Sequence, residues 1–208
     1  MMTIPRSALR RVGDVFLRPQ FEKVHIMGMA SPVYYTAEMV RDLPEDGNRY
    51  EVVAGELLVT PAPSAWHQIL TIRLVRALGN YLDRHPVGQV ISSPADISWS
   101  PADLVQPDVF VVPMGEARTL DWAQMKRLML VAEILSPSTT RADRFTKRRL
   151  YQQAKVPLYW IIDGEQQRVE VWTPEGQTAD IVTRELVWRP ESAAAALVLS
   201  LDDLFRPL

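Results

Sequence analysis

"LMLVAEILSPST", Leu128–Thr139, decides how the fold is read. Leu128 to Leu135 is apolar on both faces, the pattern of a strand in the middle of a sheet that is covered on both sides. Glu133 interrupts it. An ionised carboxylate in such a place needs a partner charge or a metal, or else it takes up a proton. The question posed by this stretch is why a sheet centre carries an acid.

The flanking segments place that strand in a mixed α/β chain. "QPDVFVVP" upstream is a second apolar strand, and it opens on Asp108 directly after Pro107. Downstream, "TRADRFTKRRLYQQA" has helical periodicity and stops before Pro157. On a helical wheel Asp143, Lys147, Leu150, Tyr151 and Ala154 fall on one stripe, so Lys147 points with Leu150 toward the sheet. It can snorkel to an edge or pair with Asp143, or it can reach Glu133 or Asp108 and offset their desolvation. Further out, "RYEVVAGELLVT" alternates as a hairpin turning at Ala54–Gly55, and Thr36 caps a short helix running to Leu43. Ser64 caps a long helix that ends near His85. "PLYWIIDG" and "QRVEVWTPEG" form a strand pair, and two more short strands precede the acidic "SLDDLF" end. The order implies an α/β fold with a mixed central β-sheet flanked by helices. Residues 1–33 lack periodicity and read as an ill-defined N-terminal extension before a domain spanning 34–208.

Bulk composition narrows the function. The 208 residues include no cysteine, which excludes disulfides, thiolate catalysis and thiolate metal sites. No apolar run reaches the roughly 20 residues of a membrane helix, so a cytoplasmic protein with no membrane partner is expected. The net charge of −2 gives no general attraction to nucleic acid, and such binding needs a local basic surface. Arg141, Arg144, Arg148 and Arg149 supply a candidate rim around Lys147; the bland reading is a solvated helix face.

Two more polar residues enter the account. Glu56 starts the second hairpin arm, where an exposed acid is the simpler reading. His67, in the first turn of the long helix, shares a face with Leu70, Leu74 and Leu78 and reads first as an inward core histidine. Carboxylates converging beside a lysine suit hard divalent cations such as Mg2+ or Mn2+, and with them phosphodiester hydrolysis. Acid–lysine clusters also serve as plain structural networks.

The motifs "RYEVVAGELLVTPAPSAWHQ", "VQPDVFVV", "AEILSPSTTRADRFTKRRLYQQAKVPLYWIID" and "VEVW", in that order, resemble the Uma-type family of "putative restriction endonucleases" in the PD-(D/E)XK nuclease superfamily. The resemblance covers about residues 35–205 and implies a restriction-endonuclease-like core and a Mg2+- or Mn2+-dependent DNA endonuclease. It makes Asp108 the motif's first acid, Glu133 the second and Glu56 an additional acid, with the Ile134 carbonyl completing a metal site. Leu135 stands where the motif has its lysine, and Lys147 matches the migrated position. His67 moves from core histidine to candidate site residue, beside Tyr151. The alternatives are a nuclease-fold module that binds nucleic acid or protein without cutting, against which the retained acids and lysine argue, and a metal-free ion-pair network. Cutting both strands of a duplex favours a homodimer, with Trp160, Trp172, Trp188 and "AAAALVLSL" as its apolar surface.

Overall fold

The computed structural model describes residues 33–208. The extension expected over residues 1–33 therefore lies almost wholly outside the described residues. Helix α1 (Ala37–Arg41) is capped by the Thr36 hydroxyl, which accepts from the Met39 amide. The hairpin β1 (Arg49–Val53) and β2 (Glu56–Thr60) turns at Ala54 and Gly55, both with positive φ as a type I′ connection requires. Helix α2 (Ala65–Arg84) starts at Ser64, whose hydroxyl accepts from the His67 amide.

A six-stranded sheet follows in the order β3 (Gly88–Ser92), β4 (Val109–Pro113), β5 (Leu130–Ile134), β6 (Tyr159–Asp163), β7 (Arg168–Trp172) and β8 (Asp180–Val182). Only β5 and β6 pair in parallel, and the connection between them carries the helix with Lys147. The short helix α3 (Met114–Ala117) follows β4. A separate hairpin of β9 (Glu185–Trp188) and β10 (Leu197–Ser200) leads into α5 (Leu201–Phe205). Among the described residues no helix is long and apolar enough to cross a membrane.

Both faces of the sheet are covered, as the two-sided apolarity of β4, β5 and β6 requires. One face sends Val109, Val111, Ala132, Ile134 and Ile162 against Leu70, Leu74 and Leu78 of α2 and against Leu201, Leu204 and Phe205 of α5. Each of those fully buried leucines contributes about 1.5–3 kcal/mol of transfer free energy. The other face sends Phe110, Val112, Val131 and Ile161 against Leu150 and Tyr151, with Val53 of the hairpin. The acids lie on this second face.

The helix after β5 is wound differently from the expected uniform α-helix. Ala142–Lys147 forms a π-helical turn that passes into α4 (Arg148–Gln153). Asp143, Lys147, Leu150 and Tyr151 are nonetheless all buried, so the inward stripe survives the change in winding. The helix ends at Lys155, in left-handed conformation at φ 56°, with Val156 N–H returning to Tyr151 O and Lys155 N–H to Gln152 O. That paired closure is a Schellman motif, and it stops the helix just before Pro157.

The tryptophans correct one expectation. Trp160 and Trp188 are core residues, and Trp172 lies under the Arg148 guanidinium at 4.4 Å. None of the three is spare apolar surface. On β9 and β10 the exposed apolar side chains are Val187 and Val198, which face each other across the hairpin.

Candidate active site

Register brings the two motif acids together. Val109 pairs with Ala132 and Phe110 with Val131 in the antiparallel β4–β5 ladder, so Asp108, one residue before β4, stands opposite Glu133 on the same face. Each acid accepts a backbone amide from the other's strand segment. Asp108 Oδ2 takes the Ile134 amide at 2.9 Å, and Glu133 Oε2 takes the Asp108 amide at 3.3 Å. In an extended strand a residue's N–H and C=O point to the same side, so the Ile134 carbonyl is directed to the β4 side, like its amide.

Cations close in from two other elements. Lys147, only 1% exposed, donates to Glu133 Oε1 at 3.1 Å, and its Nζ lies 2.9 Å from Glu51 Oε2 and 3.6 Å from Asp143 Oδ1. Tyr151 also donates to Glu133 Oε1, at 2.9 Å. Arg49 donates to Asp108 Oδ1 at 2.8 Å, and His67 Nε2 lies 3.0 Å from Asp108 Oδ2. An ionised Asp108 can only accept, so His67 Nε2 is the donor in that contact.

The structure brings Asp108, Glu133, Lys147, His67 and the Ile134 backbone together. Glu56 is not in it. Its side chain, at the turn end of the hairpin, is exposed and makes no ion pair with a described residue. The acid that the hairpin contributes is Glu51 of β1, 1% exposed, which pairs with Lys147 and accepts the Gln106 amide at 2.7 Å. Arg49 was the other residue overlooked. The one signal available was that Arg49, Glu51 and Val53 share a strand face, so that an acid and a base alternate into the side that Val53 buries. Glu56→Ala is therefore expected to change stability by no more than about 0.5 kcal/mol, whereas Glu51→Ala leaves a buried lysine short of a partner and costs several times that. Thermal melts of the two variants decide between them; equal melting temperatures would remove Glu51 from the network.

The four arginines separate into two kinds. Arg144 is tied to Glu170 at 2.7 Å and to Asp163 at 3.4 Å, and Arg148 stacks on Trp172. Arg141 and Arg149 are exposed, with exposed Phe145 between them on the same face.

Charge in the cluster does not balance. Glu51, Asp108, Glu133 and Asp143 meet Arg49 and Lys147, which leaves two negative charges over when all six groups are ionised. Burial, only partly countered by Lys147 and reinforced by Asp108, Asp143 and Glu51, pushes Glu133 up to about 8. Burial likewise pushes Asp143 up to about 6, against the pull of Lys147. At Asp108 burial is outweighed by the His67 hydrogen bond and the Arg49 charge, which hold it well below the usual carboxylate range. At Lys147 burial is outweighed by Glu133, Glu51 and Asp143, which keep the ammonium charged.

Each carboxylate oxygen can accept twice. On that count Asp108 Oδ1 and Glu133 Oε2 each retain one free position. Among the described residues no three His, Asp or Glu side chains form a ready metal cage. Two free carboxylate positions, the Ile134 carbonyl and an uncompensated charge of two still match a small hard dication, which binds through one or two carboxylates and keeps its waters.

Above the cluster opens a cleft of about 1250 Å³, walled by Arg49, His67, Asp108, Ile134, Arg144 and Asp163 among others. Glu133 and Lys147 lie beneath that wall rather than on it.

The family described as "Uma2: Putative restriction endonuclease" matches residues 37–202. Among solved structures, one titled "a putative nuclease belonging to DUF820", from Anabaena variabilis ATCC 29413, superposes with a TM-score of 0.66. It is 23% identical, over 82% of this chain and 97% of that chain, and so shares the fold. No curated protein matches the chain.

Proposed function

Because the chain belongs to the Uma2 family, we propose that it is a metal-dependent DNA endonuclease that hydrolyses phosphodiester bonds. The observation that carries this reading is the Asp108–Glu133 pair: two acids facing each other across β4 and β5, Asp108 on the wall of a cleft and Glu133 just beneath it, each with one acceptor position free, in a cluster that carries two unbalanced negative charges when fully ionised. Asp108, Glu133 and the Ile134 carbonyl would hold Mg2+ or Mn2+. Bound there, the ion would supply Lewis-acid polarisation of a phosphoryl oxygen and a water of lowered pKa.

The chain's own groups prepare that site. Arg49 and His67 fix Asp108 from two sides, while Tyr151 and Lys147 fix Glu133. Lys147 acts from below as a positioning residue, since it is sealed from the cleft. The π-helical turn aims Asp143 and Lys147 at the same point from one element.

The direct test is cleavage of supercoiled plasmid with Mg2+ or Mn2+, set against a chelator control. Metal-dependent nicked or linear product is expected. Binding of DNA without cleavage in any metal would sink the enzyme reading in favour of a non-cutting module. A homodimer belongs to the proposal on the argument of symmetry, because one site per chain cuts both strands most easily as a two-fold pair. Linear product formed in one encounter, and a dimer in sedimentation, are its expected signs.

Phosphate contacts outside the cleft are proposed for Arg141 and Arg149, the exposed pair on the helix that carries Lys147. Replacing both with alanine should weaken DNA binding uniformly across sequences and flatten the salt slope by about 2, close to one per lost contact. An unchanged slope would remove this face from the interface. Arg144 and Arg148, already engaged by acids and by Trp172, enter the proposal only as supports of that helix.

A further inference from the structure

We infer that Arg49, rather than Lys147, is the cation that grips the substrate's phosphodiester. The inference rests on the nuclease reading and names the contact that substrate makes. Lys147 is 1% exposed, is shared among three carboxylates and lies off the cleft wall, so it cannot touch a bound phosphate without dismantling its own pairs. Arg49 is on that wall. Its Nη1 is anchored by Asp108 Oδ1 at 2.8 Å and the Gln106 carbonyl at 3.1 Å. Its Nε is buried beside Glu51 Oε2 at 3.6 Å. Its Nη2 bonds to no described residue, and the side chain keeps 18% of its surface exposed on the cleft wall. A planar fork held rigid through Nη1 and beside Glu51, on a cleft wall, is preorganised for a phosphoryl oxygen.

The surroundings make such a donor necessary. The cleft wall carries Glu45, Asp96, Asp108, Asp163 and Glu165 against Arg41, Arg49 and Arg144. Arg41 is drawn off by Asp96 at 3.4 Å, and Arg144 by Asp163 and Glu170. Arg49 alone of the three is bonded to Asp108, so a phosphate seated against that acid meets Arg49 first.

A double-substitution cycle tests this. The probes are a short thymidine oligonucleotide and its neutral methylphosphonate analogue, bound in the presence of Ca2+ to limit cutting. Against wild type, Arg49→Met should lose about tenfold in affinity for the ordinary oligonucleotide and little for the neutral one, and Arg49→Lys should fall between, having charge without the fork. Cleavage with Mg2+ should fall by about 10²-fold in Arg49→Met, the scale of a lost transition-state donor. If Arg49 only steadies Asp108, neutralising the backbone costs wild type and variant alike; that additive cycle overturns the inference while wild-type cleavage leaves the nuclease reading standing. Wild-type protein that binds neither probe overturns both. Thermal melts accompany each variant, and if Arg49→Met fails to fold the Arg49→Lys cycle decides.

Discussion

Replacing Lys147 with methionine should destabilise the protein by about 3–5 kcal/mol, the usual cost of removing one partner from a buried charge cluster. Methionine approximates the volume of the lysine stem, so the loss is electrostatic rather than a cavity. Glu51, Glu133 and Asp143 all lose their shared ammonium, and the desolvation each has suffered goes uncompensated. For a domain of this size each kcal/mol moves Tm by about 2–4 °C, so a drop of about 6–20 °C is expected in a thermal scan. A variant melting within a degree or two of wild type would mean that the ammonium is not the centre of the cluster. Loss of activity in this variant is also expected, but it says less, since a site whose acids repel one another is no longer the native site.

The lysine was legible in the sequence because its neighbours on the helical stripe are apolar. Leu150 and Tyr151 share its side and bury, and a charged residue among them has to bury too. The π-helical turn was not legible, since nothing in "ADRFTK" marks wider winding. The four-residue spacing of Asp143 and Lys147 kept the stripe right all the same, and they still face each other at 3.6 Å. The two acids were legible for a similar reason: Glu133 is the one polar residue of β5, and Asp108 directly precedes the wholly apolar β4. Glu51 was hidden by the opposite circumstance. In "RYEVV" it sits in an alternating strand that reads as half solvent-exposed, and only the packing of the hairpin over the second face of the sheet buries it. That packing joins residues about 50 to 100 positions apart, such as Arg49 with Asp108, and no local pattern encodes it. Trp160 and Trp188 mislead in the same way. A tryptophan near the chain's end suggests an interface until the sheet order shows that β6 is central and that Trp188 packs on α2.

Glu133→Gln should have the reverse profile: cleavage lost, fold kept. Glutamine keeps an oxygen for Lys147 and Tyr151, so the two donors at 3.1 Å and 2.9 Å remain satisfied. Against this, its NH2 group faces the Asp108 amide, and the 3.3 Å hydrogen bond made there is given up, at about 1 kcal/mol. Where Glu133 is ionised the substitution also removes one of the two surplus negative charges, which relieves repulsion among Glu51, Asp108 and Asp143; with Glu133 held up to about 8, that relief is felt mainly at alkaline pH. These effects oppose each other, and stability is expected to stay within about 1 kcal/mol of wild type by urea unfolding. For activity nothing offsets the change. The free acceptor position opposite Asp108 becomes an N–H donor, which repels a cation where the proposed mechanism needs a ligand. A loss of about 4 kcal/mol of transition-state stabilisation, on the order of 10³-fold in metal-dependent cleavage, is expected. Buried acids that destabilise a fold and survive in it are explained if they serve chemistry, since a site tuned for function is kept at the expense of stability. A Glu133→Gln protein that cuts plasmid at the wild-type rate would break that explanation and leave the acid in the sheet centre as one partner of a structural ion pair.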